Sequence, residues 1–238
     1  MMTDEIQRIC RSCGGPATGR YCPTCGENME TKRLSVKGLL HEVFHFFTHF
    51  DKGFPYTLKK LITAPGTMQK EYVDGFRSKH QKPFSMFFIC ATFAALSLYW
   101  INISLVKYFD AGDAGEAEFF HQYWVILQVI MLPVYTFVTY LFFRESKLNY
   151  AEIFVFQLYL FSFLFLVLPL IHLLKFISPH LQTRYIELPL IILYTVITNF
   201  NFFYNRSKWV VIAKTILTIG ISFLLASYLQ DLLVESVL

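Results

Sequence analysis

Long apolar runs fill the chain from residue 83 onward, and short polar connectors separate them. A helix needs about 20 apolar residues to cross the hydrocarbon core of a bilayer. Five runs meet this requirement, at 84–106, 122–143, 151–174, 187–204 and 209–230. The fourth run is the shortest and contains Asn199 and Asn201. We therefore predict an all-α integral membrane protein whose residues 83–238 form a bundle of about five transmembrane helices.

Residues 33–82 show shorter stretches in which apolar positions recur at helical spacing. A first helix is predicted in RLSVKGLLHEVFHFFTHF, opening near Ser35, and two more in FPYTLKKLIT and TMQKEYVDG. Aromatic-rich amphipathic helices with basic residues are typical of a membrane surface. We therefore predict a layer of cytoplasmic interfacial helices here. The predicted membrane-surface contacts are Lys37, Lys59, Lys60, Lys79 and Lys82.

Composition supports a membrane protein over a soluble one. Hydrophobic residues make up 55% of the chain, charged residues only 16%, and phenylalanine occurs 26 times. A soluble core of this size does not need so much aromatic surface.

The charged residues between the apolar runs predict an orientation, because Lys and Arg in short loops mark the cytoplasmic side. The loop after the first run, FDAGDAGEAEFFHQ, carries four acids. Bases occur before the first run (Lys70, Arg77, Lys79 and Lys82) and in the second and fourth connectors (Arg144, Lys147, Arg206 and Lys208). We expect a cytoplasmic N-terminus and a C-terminus on the opposite side.

Four of the five cysteines predict a metal site near the N-terminus. They form the pattern C-x2-C-x8-C-x2-C at Cys10, Cys13, Cys22 and Cys25, and a glycine follows each pair. Two Cys-x-x-Cys turns can place four thiolates around one zinc ion, which leaves no open position for a reacting water. Disulfides are the alternative, but they need an oxidising compartment, and the basic residues place this segment inside. We predict one structural Zn²⁺ in a ribbon over residues 1–32, and treat Cys90 as a small buried residue of the first span.

Such a ribbon has two interpretations. It can dock a protein or nucleic acid through Arg11, Arg20 and Tyr21, or it can simply cap the N-terminal region. We favour docking of a protein partner and do not expect nucleic acid binding. The partner would lie at the cytoplasmic face or in the lipid bilayer.

The segment HEVFH, at 41–45, spells the helix motif of a zinc metalloprotease. His41 and His45 share one helix face, and Glu42 occupies the position of a general base. A catalytic zinc needs a third protein ligand, and His49 lies about 12 Å along the helix from His41, too far to share the ion. An amphipathic helix explains the same letters. The row His41, His45 and His49 alternatively suggests a secondary metal or pH-sensing site.

A transporter of small molecules or lipids is a further alternative. Transporters place polar or ionisable residues at mid-membrane depth. The candidates here are Gln157, Asn199 and His172, which more commonly join helices to one another. A water-accessible cavity around these residues would favour transport.

The region from Arg33 to Pro83 resembles an uncharacterised bacterial membrane-protein family, one of the numbered families of unknown function. The matching residues are the CPTCG knuckle, HE at 41–42, D-x-G-F at 51–54, T-L at 57–58, P-G at 65–66, E-Y at 71–72, G-x-R at 75–77 and Pro83. The resemblance implies a multi-pass protein of the bacterial cytoplasmic membrane and carries no known activity. We predict a non-enzymatic protein that recruits or regulates a partner, for which translocation or export machinery is one candidate.

Overall fold

The computed structural model of the chain describes residues 8–10, 12–30, 33–39, 53–110, 115, 123–204 and 206–237, with the backbone alone for residues 229–237. Its strands and α-helices are β1 (Arg8–Ile9), β2 (Pro16–Ala17), α1 (Phe54–Thr63), α2 (Thr67–Val73), α3 (Pro83–Phe109), α4 (Trp124–Phe142), α5 (Tyr150–His172), α6 (Arg184–Phe202) and α7 (Lys208–Val237). Two 3₁₀ turns, Arg144–Ser146 and Leu173–Phe176, lie in the connectors.

Helices α3 to α7 are long and apolar enough to cross a membrane, which confirms the predicted helical bundle and its five spans. They begin within three residues of the predicted starts. Helix α6 is the least apolar of the five, as its asparagines suggested. The chain is thus a multi-pass membrane protein by helix length and composition.

Helix α5 occupies the centre of the bundle. It packs against α1, α2, α3, α4 and α6, and 61% of its most apolar stretch is buried, against 17% for α7. Aromatic rings fill the surrounding space: Phe156 stacks near Phe202 at 4.3 Å, and Trp124 meets Phe165 edge to face at 4.7 Å. Such ring contacts add stabilisation beyond that from the apolar area that each ring buries. Helix α7 leaves most of its apolar surface for lipid.

The two short helices α1 and α2 match the predicted segments and share one hydrophobic core with the spans. Three hydrogen bonds join this region to α5 and α6. Tyr194 donates its hydroxyl to the Leu61 carbonyl at 3.1 Å, Asn201 donates to the Pro65 carbonyl at 2.8 Å, and Tyr159 donates to the Gln81 carbonyl at 2.5 Å. The helices therefore close one end of the bundle, and contact of their outer face with lipid stays a prediction.

Three connecting segments meet at that end: residues 74–82, the connector from α4 to α5, and the connector from α6 to α7. Glu145 joins the last two, since its carboxylate lies 2.7 Å from Lys214 Nζ and 3.6 Å from Arg206. Lys214 holds the pKa of the Glu145 carboxyl below its usual range through a hydrogen bond and its charge. The last turn of α3 and the connector from α5 to α6 lie at the other end, where Phe109 meets Phe176 edge to face at 5.8 Å.

His80 provides a prediction about pH. Its side chain is buried between Tyr56 and Tyr72, and burial holds its pKa below the usual value, although Glu71 at 3.8 Å opposes the effect. Lys60, Glu27 and Lys79 are the other charges that act on it. The unfolded chain therefore takes up a proton first, so stability should fall as the pH drops below about 6.5.

The check compares thermal unfolding at about pH 7.5 and 5.5, on either side of the ordinary histidine pKa. His80→Gln should lose less stability on acidification than the original protein. His180→Gln, which changes an exposed histidine, should lose as much as the original protein. Equal losses in all three proteins would contradict the assignment.

Candidate metal centre

The N-terminal ribbon is a two-stranded hairpin with two matching turns. Strand β1 pairs antiparallel with β2, and each Cys-x-x-Cys-Gly turn makes the same backbone hydrogen bonds. Gly14 N–H donates to the Cys10 carbonyl at 2.8 Å, and Gly26 N–H donates to the Cys22 carbonyl at 2.9 Å. Both glycines have positive φ, 73° and 74°, which L side chains rarely adopt.

The turns bring all four predicted cysteine sulfurs into one cluster. Cys10 Sγ lies 3.6 Å from Cys25 Sγ, Cys13 Sγ lies 3.5 Å from Cys22 Sγ, and all four atoms lie within 4.8 Å of one another. Sulfurs bound tetrahedrally at 2.3 Å from zinc would be about 3.8 Å apart. A disulfide bond would need about 2.05 Å. The four residues therefore form a site that can hold a metal ion.

The turns also stabilise one thiolate. Burial raises the pKa of the Cys22 thiol, but the backbone N–H groups of Cys25 and Thr24 and the neighbouring thiols outweigh it and bring the pKa to about 6. For Cys25, the Glu27 N–H lowers the pKa, but burial and the three neighbouring thiols outweigh this effect and raise the pKa to about 12. Adjacent negative charges repel, so a bound cation would favour ionisation of the whole set.

The ribbon is held against the end of the bundle that α1 and α2 close, which we call the ribbon end. Glu27, a buried carboxylate of the second turn, accepts a hydrogen bond from Ser78 N–H at 3.0 Å. Ser12, in the first turn, contacts Ser78 through its hydroxyl at 3.3 Å and accepts from Lys79 at 3.4 Å through its carbonyl. Both turns thus contact the segment that leads into α3.

The segment after the ribbon is anchored to the start of α5. Arg33 donates two hydrogen bonds to the Glu152 carboxylate, at 2.7 and 2.9 Å, and a third to the Lys147 carbonyl at 2.6 Å. Glu152 also caps α5 together with Asn149, whose side chain binds the Leu34 carbonyl. Glu152 raises the pKa of the Arg33 guanidinium through its hydrogen bonds and its charge. Sequence analysis missed this anchor, although N-x-x-E before an apolar run indicates a capping box.

The other predicted site residues are not part of this centre. The histidine row, His41, His45 and His49, lies outside the described residues. Of the five predicted membrane-surface lysines, Lys60 pairs with Glu71 at 3.6 Å and Lys79 contacts the ribbon, whereas Lys37 and Lys59 are exposed. Lys82 is exposed at the start of α3. Their contact with lipid stays a prediction.

The three transporter candidates fall into two places. Gln157 and Asn199 line one cavity between α4, α5, α6 and α7. His172 lies at the other end of α5, where its Nε2 is 2.8 Å from the Glu187 carboxylate and 3.5 Å from the Thr183 hydroxyl. The structure therefore places Gln157 and Asn199 at one cavity and pairs His172 with Glu187 elsewhere.

Gly26→Ala should weaken the metal site without a steric clash, because a Cβ at Gly26 meets nothing within 4 Å and only the positive φ opposes it. A non-glycine residue in this conformation costs about 1–2 kcal/mol, so metal affinity should fall roughly 5- to 30-fold. Competition with a chromogenic zinc chelator measures this. Gly19→Ala, at an open position with ordinary φ, should bind as the original protein does. Equal affinities for the two variants would contradict the role of Gly26.

Comparison with known proteins gives one partial match. Residues 51–95 match a family described as a protein of unknown function (DUF3667). No curated protein and no solved structure matches the chain. The match covers α1, α2 and the first half of α3, and it supports the resemblance to an uncharacterised domain family over that stretch.

Four of the residues that carried the resemblance, Gly53, Thr57, Gly66 and Tyr72, lie at packing contacts. A Cβ at Gly53 would come within 2.7 Å of Gln81 N, and a Cβ at Gly66 would overlap the Thr198 carbonyl oxygen. The buried Thr57 hydroxyl accepts a hydrogen bond from Gln81 N–H at 2.7 Å. Tyr72 packs edge to face on Tyr159 of α5 at 5.3 Å. These residues fit α1 and α2 closely to the bundle.

Proposed function

We propose that this protein is a non-enzymatic adaptor of the bacterial cytoplasmic membrane, in which a zinc-stabilised ribbon at the cytoplasmic end of five spans docks a protein partner. The sulfur cluster, fixed on that end of the bundle, is the observation that carries the proposal. Its four ligand atoms come from cysteine alone, a donor set that suits structural zinc. A segment of about 30 residues is too small to fold on its core alone, so the metal would supply its folding free energy.

The charge distribution supports a cytoplasmic ribbon end. Basic residues crowd the segments that meet there: Lys70, Arg77, Lys79, Lys82, Arg144, Lys147, Arg206 and Lys208. The last turn of α3 lies at the opposite end, where Phe109 contacts Phe176, and four acids follow it in the sequence. Positive residues in short loops favour the cytoplasmic side, where reduced thiols persist and can bind metal.

Two exposed serines form a matched pair for testing this orientation. Ser207 lies in the connector at the ribbon end, and Ser178 lies in the connector at the opposite end. A membrane-impermeant maleimide should label Ser178→Cys in intact cells, and should label Ser207→Cys only after permeabilisation. The reverse pattern would place the ribbon outside and overturn the proposal.

The ribbon presents side chains suited to docking. Ile9 is 76% exposed and Tyr21 is 62% exposed, although both are large residues of a small fold. Arg20, next to Tyr21, is also exposed and pairs with Glu30 at 3.5 Å. Tyrosine and arginine are enriched where protein partners bind.

A photoreactive phenylalanine analogue at Tyr21, in cells, tests docking directly. We expect a discrete protein adduct from Tyr21 and none from Tyr185, an even more exposed tyrosine near the opposite end. The adduct should disappear when Cys22→Ser is added, because the surface then loses its shape. Adducts at both positions, or an adduct that survives Cys22→Ser, would contradict recruitment by the folded ribbon.

Metal analysis separates this proposal from the metalloprotease alternative. The adaptor predicts one zinc per chain, retained in His41→Ala/His45→Ala. A protease predicts a second zinc that this double variant loses. Two zinc ions per chain in the original protein, with one lost on changing the histidines, would favour the protease.

A further inference from the structure

A cavity of about 200 Å³ lies between α4, α5, α6 and α7. Three of the residues that line it carry a buried polar atom with no hydrogen-bond partner within the described part of the chain: Gln157 Oε1, Asn199 Oδ1 and Thr215 Oγ1. These side chains are 5%, 3% and 0% exposed. A buried polar atom without a partner is destabilising, so three around one space indicate an occupant that satisfies them.

The hydrogen bonds around Gln157 show which kind of group is required. Thr139 donates its only hydroxyl proton to the Tyr135 carbonyl at 2.9 Å, so it can offer Gln157 only a lone pair. Gln157 Nε2 therefore donates to Thr139 at 2.6 Å, and Gln157 Oε1 is left as an acceptor without a partner in the described part of the chain. Gln157 Oε1 and Asn199 Oδ1 are both unpaired acceptors of residues that line the cavity, so both need a hydrogen-bond donor.

The occupant should be neutral. None of the residues that line the cavity is charged. An ammonium group would therefore be buried without a counter-charge, which is costly, and a phosphate or carboxylate would face acceptor oxygens. A hydroxyl group donates one hydrogen bond and accepts others, which suits Gln157, Asn199 and the Thr215 hydroxyl together.

The rest of the cavity indicates an apolar body attached to that hydroxyl. Phe161, Leu164, Ile191 and Phe223 line it, and Phe223 is 46% exposed on the outer surface of α7. The mouth therefore faces acyl chains of the bilayer. A space of this size has room for about six water-sized groups, more than the three polar atoms can hydrogen-bond.

The depth of two of the polar atoms favours a small polar group over a large headgroup. Gln157 and Thr215 each lie about 10 Å along their helices from the ribbon end, within a hydrocarbon layer about 30 Å thick, whereas Asn199 lies about 5 Å from that end of α6. A phospholipid headgroup would have to leave the interface to reach Gln157 and Thr215. A single hydroxyl can be carried there by its own chain.

We propose that this cavity binds a neutral lipid alcohol, with the hydroxyl at Gln157, Asn199 and Thr215 and the hydrocarbon chain between α5, α6 and α7. Long-chain alcohols, prenyl alcohols and diacylglycerols share this chemistry. The site is independent of the ribbon and of any partner that the ribbon docks.

Photolabelling in liposomes tests the site with the full-length protein. The probe is hexadecanol carrying a diazirine and an alkyne, in phosphatidylcholine vesicles. We expect saturable labelling that maps to α5, α6 or α7, with competition by hexadecanol but not by hexadecyl methyl ether, which lacks the donor. Competition by a prenyl alcohol or by diacylglycerol identifies which class of lipid alcohol the site prefers. Labelling that is not saturable, as expected if the cavity holds only water, would overturn the proposal, and so would equal competition by the ether.

Two buried threonines provide a matched pair of variants. Thr215→Val removes the unpaired hydroxyl with little change of shape, and should lower labelling about three- to tenfold. Thr136→Val removes a hydroxyl that already donates to the Leu132 carbonyl at 2.8 Å, away from the cavity, and should label as the original protein does. Ala226→Phe fills the apolar part of the cavity and should lower labelling by a different route. Labelling of Thr215→Val and Ala226→Phe at the level of Thr136→Val would overturn the proposal.

Discussion

Gly66→Ala should destabilise the folded protein by about 3 kcal/mol or more, since backbone atoms block the new methyl group and φ is positive. A Cβ at Gly66 would overlap the Thr198 carbonyl oxygen and lie 2.8 Å from Phe202 N. Its φ is 82°. These neighbours belong to the α6 backbone, so relief requires α2 to separate from the bundle. Thermal unfolding in detergent measures the effect.

Gly220→Ala is the matched control, because a Cβ there meets nothing within 4 Å. This variant should unfold at nearly the original temperature. If Gly66→Ala unfolds at the same temperature as Gly220→Ala, the close approach between α2 and α6 is wrong.

The second large effect is expected at the metal site. Cys22→Ser should abolish stoichiometric zinc and expose the ribbon to protease, because structural zinc in small domains supplies about 10 kcal/mol or more of apparent binding free energy. The bundle should keep its helical content, since its hydrophobic core contains none of the four clustered cysteines. Metal analysis and limited proteolysis followed by mass spectrometry measure both parts.

Cys90→Ser controls for the loss of a cysteine as such. Cys90 is fully buried within α3 and does not belong to the sulfur cluster. Its variant should retain one zinc per chain and an intact ribbon. Zinc retained at one per chain in Cys22→Ser, or lost equally from Cys90→Ser, would contradict the assignment.

The spans could be predicted closely from sequence because the bilayer imposes one simple requirement, a long apolar helix. The metal site could be predicted because each turn is local: Cys22, Gly26 and the bonds between them lie within five residues. Both features depend on short stretches of chain, which a single sequence displays directly.

The contacts that position the ribbon could not be predicted in this way. Arg33 meets Glu152 across 119 positions, and Glu27 meets Ser78 across 51. In the sequence, Glu152 appeared only as an acid at the start of a span. Helix α2 appeared as an amphipathic segment for a membrane surface, and nothing in its periodicity showed that α6 would cover it. Pairings of this kind depend on the whole packing arrangement.

The late synthesis of α5 and α6, which hold the N-terminal helices, has a consequence for biogenesis. Pro65 is synthesised long before its partner Asn201, 136 positions later, and Gln81 receives its hydrogen bond from Tyr159, 78 positions later. The packing partners of the N-terminal third are therefore incomplete until four of the five spans have been synthesised. During that interval the apolar surfaces of α1 and α2 lack the helices that cover them, so they are open to chaperones and to aggregation.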